Sequence, residues 1–177
     1  NENHQLVSTF PNAKIFVNDI EWYEMMNPNN RTKGTYLREN WEPIQHQVET
    51  FTEYLNVIPE IQMVHTGGHS NGHSIILLKQ GNETMIHMAD LLLTHAHRKP
   101  VWVAAVDDYP MRSIIAKEKW LKEAFENHYK FFFYHDQFFA VVEFDHEGKE
   151  IVDYVKRIRE PRLPFTDKQD RKPVLYH

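Results

Sequence analysis

The pattern of apolar and polar positions along the chain predicts short strands interrupted by a few helices. Residues 11–18 are predicted as a first strand, because apolar Ile15 and Val17 lie two positions apart after a Pro-Asn turn signal. Residues 61–65 are predicted as another strand, which runs directly into the glycine-containing loop 66–72. This loop therefore follows the end of a strand, where binding residues are often held.

Five further strands are predicted, four of them paired in two hairpins. The first hairpin turns tightly at Gly81 and Asn82, and the second turns at residues 146–149, which include a glycine. Four consecutive aromatic residues predict a buried strand between the two hairpins. The five predicted strands are residues 73–79, 84–88, 131–134, 139–144 and 150–155.

Three helices are predicted from spacing and capping residues. Asp19 is predicted to cap the first helix, which ends at an Asn-Pro pair, and residues 36–55 are predicted as a second helical stretch with a proline near a break. Asp107 or Asp108 is predicted to cap a third helix over residues 110–129, which has apolar residues at helical spacing. Helices that accompany adjacent strands predict an α/β (α+β) fold, a mixed sheet covered by helices rather than a doubly wound parallel sheet.

Composition and charge narrow the class of protein. The chain has 177 residues, 41% of them hydrophobic and 25% charged, which is typical of one soluble globular domain. Its net charge of -5 argues against a nucleic-acid partner, and no apolar run is long enough to span a membrane. Cysteine is absent, which excludes thiolate metal sites and is compatible with the cytoplasmic location that we expect. Twelve histidines leave a metal site with imidazole and carboxylate ligands as the open possibility.

Three residues of metal-ligand type follow predicted strands. His69 lies in the glycine-containing loop, Asp90 follows the strand that ends the first hairpin, and His135 follows the aromatic strand. Side chains at strand ends can converge at one edge of a sheet, and imidazole with carboxylate is a donor set that zinc prefers. A single histidine after a strand is more often a packing residue, and Asp90 could instead cap a helix. The metal hypothesis therefore depends on the combination of the three.

Two other groups of residues have competing interpretations. His95 and His97 form an H-x-H pair, but two basic residues follow it and oppose a metal cation, so a loop near the mouth of the site is favoured. Trp22, Tyr23 and Met26 form an aromatic and thioether patch with Met25. Packing in the core is one reading of this patch, and the wall of an apolar substrate pocket is the other.

The segment Thr66-Gly67-Gly68-His69-Ser70-Asn71-Gly72-His73 resembles the T-P-G-H-[ST]-P-G-H loop of the metallo-β-lactamase superfamily. Met88-Ala89-Asp90 is similar to the bridging-aspartate segment of that family, and Phe133-Tyr134-His135-Asp136 to its last metal-histidine segment. The resemblance covers about residues 9–145 and is nearest to the YtnP-like quorum-quenching lactonases, which open N-acyl homoserine lactones. Gly67 and Asn71 stand where the family usually has proline.

The resemblance implies an αββα sandwich of which this chain holds the C-terminal part. It implies two divalent metal ions, with His69 in one site, His135 in the other, Asp90 bridging them and passing a proton to the leaving group. Zinc is the implied metal, with manganese or iron as alternatives. The family's H-x-H-x-D-H motif is absent from this chain, so we expect it upstream of Asn1 and expect this chain alone to be inactive.

The whole chain is therefore interpreted as a single partial domain. About residues 1–60 form the first strand and pocket helices, residues 61–155 form the metal-loop strands and hairpins, and residues 156–177 form an extended tail. The resemblance implies a small-molecule lactone as substrate, with a homodimer as one possible assembly. The alternatives are an organophosphate hydrolase or thioesterase on the same scaffold, or a non-catalytic half-domain that associates with another chain.

Overall fold

The computed structural model describes residues 6–157, and its first elements build a small parallel sheet beside a helix. The two strands of this sheet pair in parallel, with Ile15 opposite Val48 and Asn18 opposite Phe51. The elements are β1 (Ile15–Asn18), α1 (Asp19–Met26), α2 (Arg38–Trp41), a 3-10 helix (Glu42–Gln47) and β2 (Val48–Phe51). The predicted tail lies outside the described residues from position 158 onward.

The predicted helical stretch over residues 36–55 is wrong from residue 48 onward. Only one short turn of α-helix and a 3-10 turn form there, and the chain then enters β2 and a further strand. The Asn18 side-chain amide donates to the carbonyl oxygens of Phe51, at 3.2 Å, and Thr52, at 2.7 Å. Pairing with a strand thirty residues earlier therefore outweighs the local helical spacing, as tertiary contacts often do.

Asn18, rather than the predicted Asp19, is the N-cap of α1. The Asn18 side-chain oxygen accepts a hydrogen bond from the backbone N–H of Ile20 at 3.0 Å, and Asp19 is already the first helical residue. Asn18 therefore satisfies an orphan donor at the helix start while its amide holds β2. One buried side chain thus fixes the position of α1 beside the small sheet.

Seven strands form the main sheet, and they follow each other across it in chain order. All neighbouring pairs are antiparallel except the fourth, which joins the strand that ends the first hairpin to the next strand in the chain and is parallel. The strands are β3 (Tyr54–Ile58), β4 (Ile61–His65), β5 (Ser74–Gln80), β6 (Glu83–His87), β7 (Lys130–Phe132), β8 (Phe139–Phe144) and β9 (Ile151–Lys156). Both predicted hairpins and the predicted mixed sheet are confirmed.

The long helix α3 (Pro110–Glu126) covers one face of this sheet. It connects β6 to its parallel neighbour β7, which is why the chain needs a long crossover at this point. The aromatic rings of Phe125, Phe131 and Phe144 meet with centroids 5.5–5.8 Å apart at this interface. The buried core includes Ile75, Leu77, Ile86, Leu121, Ala124, Phe131, Val142 and Phe144. No helix within residues 6–157 is long and apolar enough to cross a membrane.

The opposite face of the sheet is also apolar, but it is only half-buried. Met63, Ile76 and His87 lie opposite one another on β4, β5 and β6 and are partly exposed. In the next row, Ile61 and Leu78 share the same partial exposure. Neighbouring residues that point to the other face, such as Ile75, are fully buried, so the two faces differ clearly.

A buried lysine joins α3 to the segment that precedes it. Lys117 is 0% exposed, and its Nζ donates to the carbonyl oxygens of His97, at 2.8 Å, and Trp102, at 2.5 Å. Burial lowers the pKa of Lys117 to about 8, because the charged form loses its hydration, and the nearby Asp107 opposes this effect only partly. A neutral amine still donates two hydrogens, so both bonds survive deprotonation.

Lys117 is expected to make stability rise with pH in the alkaline range. Its pKa is lower in the folded chain, so the unfolded chain binds more protons between about pH 8 and the ordinary lysine pKa of 10.5. The free energy of unfolding should rise across this window by roughly 1–3 kcal/mol relative to Lys117→Met. Urea unfolding at several pH values measures this difference, with the exposed Lys122→Met as control. Parallel curves for Lys117→Met and the wild type would contradict the expectation.

Candidate metal centre

The loop that carries His69 is held against the start of α3. Gly67 and Gly68 adopt positive φ angles of 63° and 108°, which lets the chain turn sharply after β4. The backbone N–H of Asp108 donates to His69 O at 2.9 Å, and that of Tyr109 donates to Gly68 O at 3.0 Å. These backbone hydrogen bonds therefore fix the position of His69 independently of the contacts that its ring makes.

A buried carboxylate orients the His69 ring. The Nδ1 of His69 lies 2.9 Å from Asp107 Oδ1, and the Asp107 side chain is only 1% exposed. This contact requires a proton on Nδ1 and leaves Nε2 available as a ligand, an arrangement that commonly supports metal-binding histidines. Nε2 in turn lies 3.3 Å from Asp90 Oδ2.

The predicted capping role of Asp107 or Asp108 is wrong. The N-cap of α3 is Tyr109, and no side chain bonds the first helical amides. Asp107 contacts His69 instead, and Asp108 pairs with Arg31 at 3.1 Å. Local spacing, from which a helix cap is predicted, contains no information about these partners, because they lie 38 or more residues away in sequence. The two aspartates before the helix thus orient a histidine and pair with an arginine, and they do not cap the helix.

Asp90 lies between the two predicted metal histidines. It is part of a 3-10 turn (Ala89–Leu92) that follows β6, with Ala89 at a positive φ of 46°. Oδ2 of Asp90 faces His69, while Oδ1 lies 3.2 Å from Nε2 of His135. The structure therefore brings His69, Asp90 and His135 together, with one imidazole at each carboxylate oxygen. That Asp90 could cap a helix is not supported, because the turn has no side-chain cap.

The three side chains offer donor atoms of the kinds that zinc binds, but they do not complete a metal site by themselves. Each carboxylate oxygen of Asp90 faces one ring nitrogen at 3.2–3.3 Å, which is close to the roughly 3.3 Å between two ligands of tetrahedral zinc. Across residues 6–157, no group of three or more His, Asp or Glu side chains is arranged to hold one metal ion. Each ion would need ligands beyond these three residues, since zinc sites use three or four protein ligands.

Tyr134 is a neighbour of Asp90 that the sequence analysis did not single out. Its hydroxyl donates to Asp90 Oδ1, and its ring centroid lies 4.0 Å from that of His135. Burial and the hydrogen bond to Asp90 raise the pKa of Tyr134, so it stays a protonated donor. The position before His135 in the aromatic run was the only sequence signal for it.

His73, the last residue of the metal-loop motif, is buried beside His69. Its Nδ1 lies 2.8 Å from the hydroxyl of Thr66, and its ring centroid lies 6.0 Å from that of His69. Burial lowers the pKa of His73 to about 4, and the adjacent His69 adds to this effect. His73 is therefore a neutral imidazole, and its Nε2 has no partner among the described residues.

A cleft of about 580 Å³ opens beside His69 and Asp90. Helix α1 reaches this cleft through Glu21, whose Oε2 accepts from Ser70 Oγ at 2.7 Å and from Gly72 N–H at 3.1 Å. Its other oxygen accepts from the Tyr36 hydroxyl. The remaining lining combines apolar and polar groups, including Phe16, Val17, Arg31, Thr35, Met63, Ser74 and Val106.

The aromatic and thioether patch on α1 does not line this cleft. Trp22 packs edge-on against Trp41, with ring centroids 5.9 Å apart, and Tyr23 is 64% exposed. Met26 is also exposed. Trp22 thus packs against a residue of the same N-terminal segment. The role of the patch as the wall of a substrate pocket stays a prediction.

The H-x-H pair lies on a short 3-10 turn (His95–His97) and points to two different partners. His97 Nδ1 lies 2.8 Å from the hydroxyl of Thr94. His95 Nδ1 lies 2.5 Å from Oδ2 of Asp136, the residue after His135. The two rings therefore contact different residues, and the interpretation of the pair as a loop near the mouth of the site stays a prediction.

The chain is similar to solved structures of metal-dependent hydrolases. A probable metal-dependent hydrolase from Staphylococcus aureus is 37% identical, with a TM-score of 0.84, over 87% of this chain and 56% of its own. AidC, a dizinc quorum-quenching lactonase, is 19% identical with a TM-score of 0.64, over 86% of this chain and 57% of its own. The hydrolase AbOPH of the beta lactamase superfamily is 19% identical with a TM-score of 0.70, over 89% and 59%.

This chain thus spans less than two thirds of each of these proteins. No protein-family model matches the chain, and no curated protein matches it. The similarity confirms the predicted fold, a mixed sheet with helices as in metallo-β-lactamase-type hydrolases.

Proposed function

We propose that this chain, which has the metallo-β-lactamase fold, supplies half of the ligands of a dinuclear metal centre that opens lactone rings, most readily those of N-acyl homoserine lactones. The observation that carries the proposal is the placement of Asp90, with a histidine nitrogen at each carboxylate oxygen. A carboxylate between two imidazoles is suited to bridge two cations. The S. aureus hydrolase and the AidC lactonase share the fold that creates this arrangement.

His69, Asp90 and His135 would hold the metal ions together with ligands from further protein. Zinc suits imidazole and carboxylate donors best, and manganese or iron would use the same atoms. When bound, the ions would supply a nucleophile of lowered pKa and a Lewis acid toward the lactone carbonyl. Asp107 would keep the His69 ring in the orientation that this role requires.

The residues of this chain also handle the proton and the substrate. Asp90 would accept the proton that the attacking hydroxyl group gives up and donate it to the alkoxide that leaves when the ring opens. The Tyr134 hydroxyl, bonded to Asp90 Oδ1, would fix the rotamer of that carboxylate. The cleft beside His69 offers Val106 and Met63 to an acyl chain and polar groups to a homoserine ring.

The half-buried second face of the main sheet favours a related candidate, a half-domain that works only when further protein covers it. Apolar residues such as Met63 and Ile76 lie there in register, and exposed apolar area of this kind invites association. In this second candidate the chain alone is inactive, and it associates with another chain, which is either a different protein or a second copy. Sedimentation of the chain alone distinguishes a homodimer from a monomer.

The substrate is tested by hydrolysis assays on this chain and on the full native protein that contains it. Acyl-homoserine lactones of increasing chain length are compared with a phosphotriester and a thioester. Lactones should be preferred in kcat/KM, and rates should rise with acyl length because each buried methylene contributes about 0.8 kcal/mol. A preference for the phosphotriester would point to an organophosphate hydrolase, and one for the thioester to a thioesterase. A flat dependence on acyl length would contradict the apolar substrate site.

A further inference from the structure

The side chain of His135, a proposed metal ligand, makes few contacts within the described residues. The ring is 50% exposed, and within the described residues it contacts Asp90 and Tyr134. It lies on the loop of residues 133–138, which joins β7 to β8. A half-exposed ligand on a loop binds metal well only when the backbone beneath it is held in place.

The residue after His135 is anchored far more firmly. The Asp136 carboxylate is 1% exposed and accepts four hydrogen bonds from nitrogen donors. His95 supplies two of them to Oδ2, from its backbone N–H at 2.9 Å and from Nδ1 at 2.5 Å. The backbone N–H groups of Phe138 and Phe139 supply the other two to Oδ1, at 2.8 Å and 3.0 Å.

Aromatic packing and a second attachment complete the anchor. The His95 ring lies edge-on to Phe139, with centroids 4.9 Å apart, so it is held on two sides. From the end of β9, Arg157 donates through Nε to Asp136 O at 2.8 Å and through a terminal nitrogen to Phe133 O at 2.5 Å. The loop that bears Tyr134 and His135 is thus fixed both before and after these residues.

We propose that His95 and Asp136 form a clasp that positions His135 for metal binding, with His95 as a positioning residue and not a metal ligand. The histidine at position 95 of the H-x-H pair is then explained by its bonds to Asp136 and not by metal binding. His95 must donate from Nδ1 to a carboxylate, and its backbone N–H donates to the same oxygen. The four nitrogen donors stabilise the negative charge of the buried Asp136 carboxylate, so the charge does not need to be exposed to water. This inference rests on the proposed function for the role of His135.

The test compares His95→Ala with His95→Asn and His97→Ala in the full chain. Asparagine keeps an N–H donor near the position of Nδ1, so it should restore the bond to Asp136. His97→Ala is the matched control, since it lies on the same turn and its ring contacts Thr94 instead. The two readouts are the ¹⁵N order parameters of Tyr134 and His135 in the metal-free chain and the dissociation constant for added Zn²⁺.

His95→Ala should lower the order parameters from about 0.85 to below about 0.6 and weaken Zn²⁺ binding by roughly 10- to 100-fold. His95→Asn should restore most of both, and His97→Ala should change neither. A loop that stays ordered in His95→Ala overturns the clasp, as does an unchanged affinity for Zn²⁺. Loss of Zn²⁺ with an ordered loop and no rescue by asparagine would show that His95 is itself a ligand.

Two further measurements keep the outcome decisive. If His95→Ala does not fold, Asp136→Asn replaces one carboxylate oxygen by an N–H donor that cannot accept from His95, and the same readouts and expectations apply. If this chain, which lacks a complete ligand set, does not bind Zn²⁺, the order parameters alone decide whether the clasp exists, and the metal function is judged from the Zn²⁺ affinity of the full native protein. Failure of the clasp and failure of the function are therefore separate results.

Discussion

His69→Ala and His135→Ala are each expected to remove at least one of the two metal equivalents and most of the hydrolase activity. Each variant deletes an imidazole that faces one oxygen of Asp90 in the described part of the chain, at 3.3 Å and 3.2 Å respectively. Loss of a direct ligand is rarely compensated, because zinc sites have only three or four protein ligands. Elemental analysis and activity assays of the full native protein measure the two effects.

His97→Ala is the control for this experiment. It removes an imidazole that contacts Thr94 and no proposed ligand. Full metal content in His97→Ala with reduced content in the other two variants supports the assignment. Full metal content in both His69→Ala and His135→Ala would show that these histidines are not ligands, and loss of metal in His97→Ala would return the H-x-H pair to the metal site.

Gly68→Ala is expected to destabilise the chain strongly and to displace the His69 loop. A Cβ at this position would lie 2.7–2.9 Å from the Oγ, Cα and N of Ser113, in the first turns of α3, and two of these atoms are backbone. The φ angle of 108° is also unfavourable for any side chain. Overpacking and backbone strain together predict a loss of about 3–5 kcal/mol in the free energy of unfolding.

Gly81→Ala separates the two causes. Gly81 also has a positive φ, of 58°, but nothing lies within 4 Å of a Cβ added there. Its substitution should therefore cost about 1–2 kcal/mol, from backbone strain alone. Urea unfolding of both variants gives the comparison. Equal losses in Gly68→Ala and Gly81→Ala would mean that the loop does not pack against α3 as closely as described.

The sequence by itself determined those features that depend on neighbouring residues. The Gly81 turn between two alternating apolar runs defined the first hairpin, and the aromatic run at residues 131–134 predicted the strand before His135. The glycine-containing loop 66–72 and its likeness to a known metal loop identified His69. A strand period, a tight turn and a short motif are all local properties, so they can be read without knowing what lies opposite.

Only the tertiary structure decided which residues meet across long sequence separations. Residues 48–51 became a strand because β1 lies beside them, although their spacing suited a helix. Asp107 contacts His69 across 38 positions, and Asp136 contacts His95 across 41. Glu21, rather than the aromatic residues next to it, reaches the cleft. A carboxylate has the same local signature whether it caps a helix or orients a distant imidazole, and only the packing that buries it selects the partner.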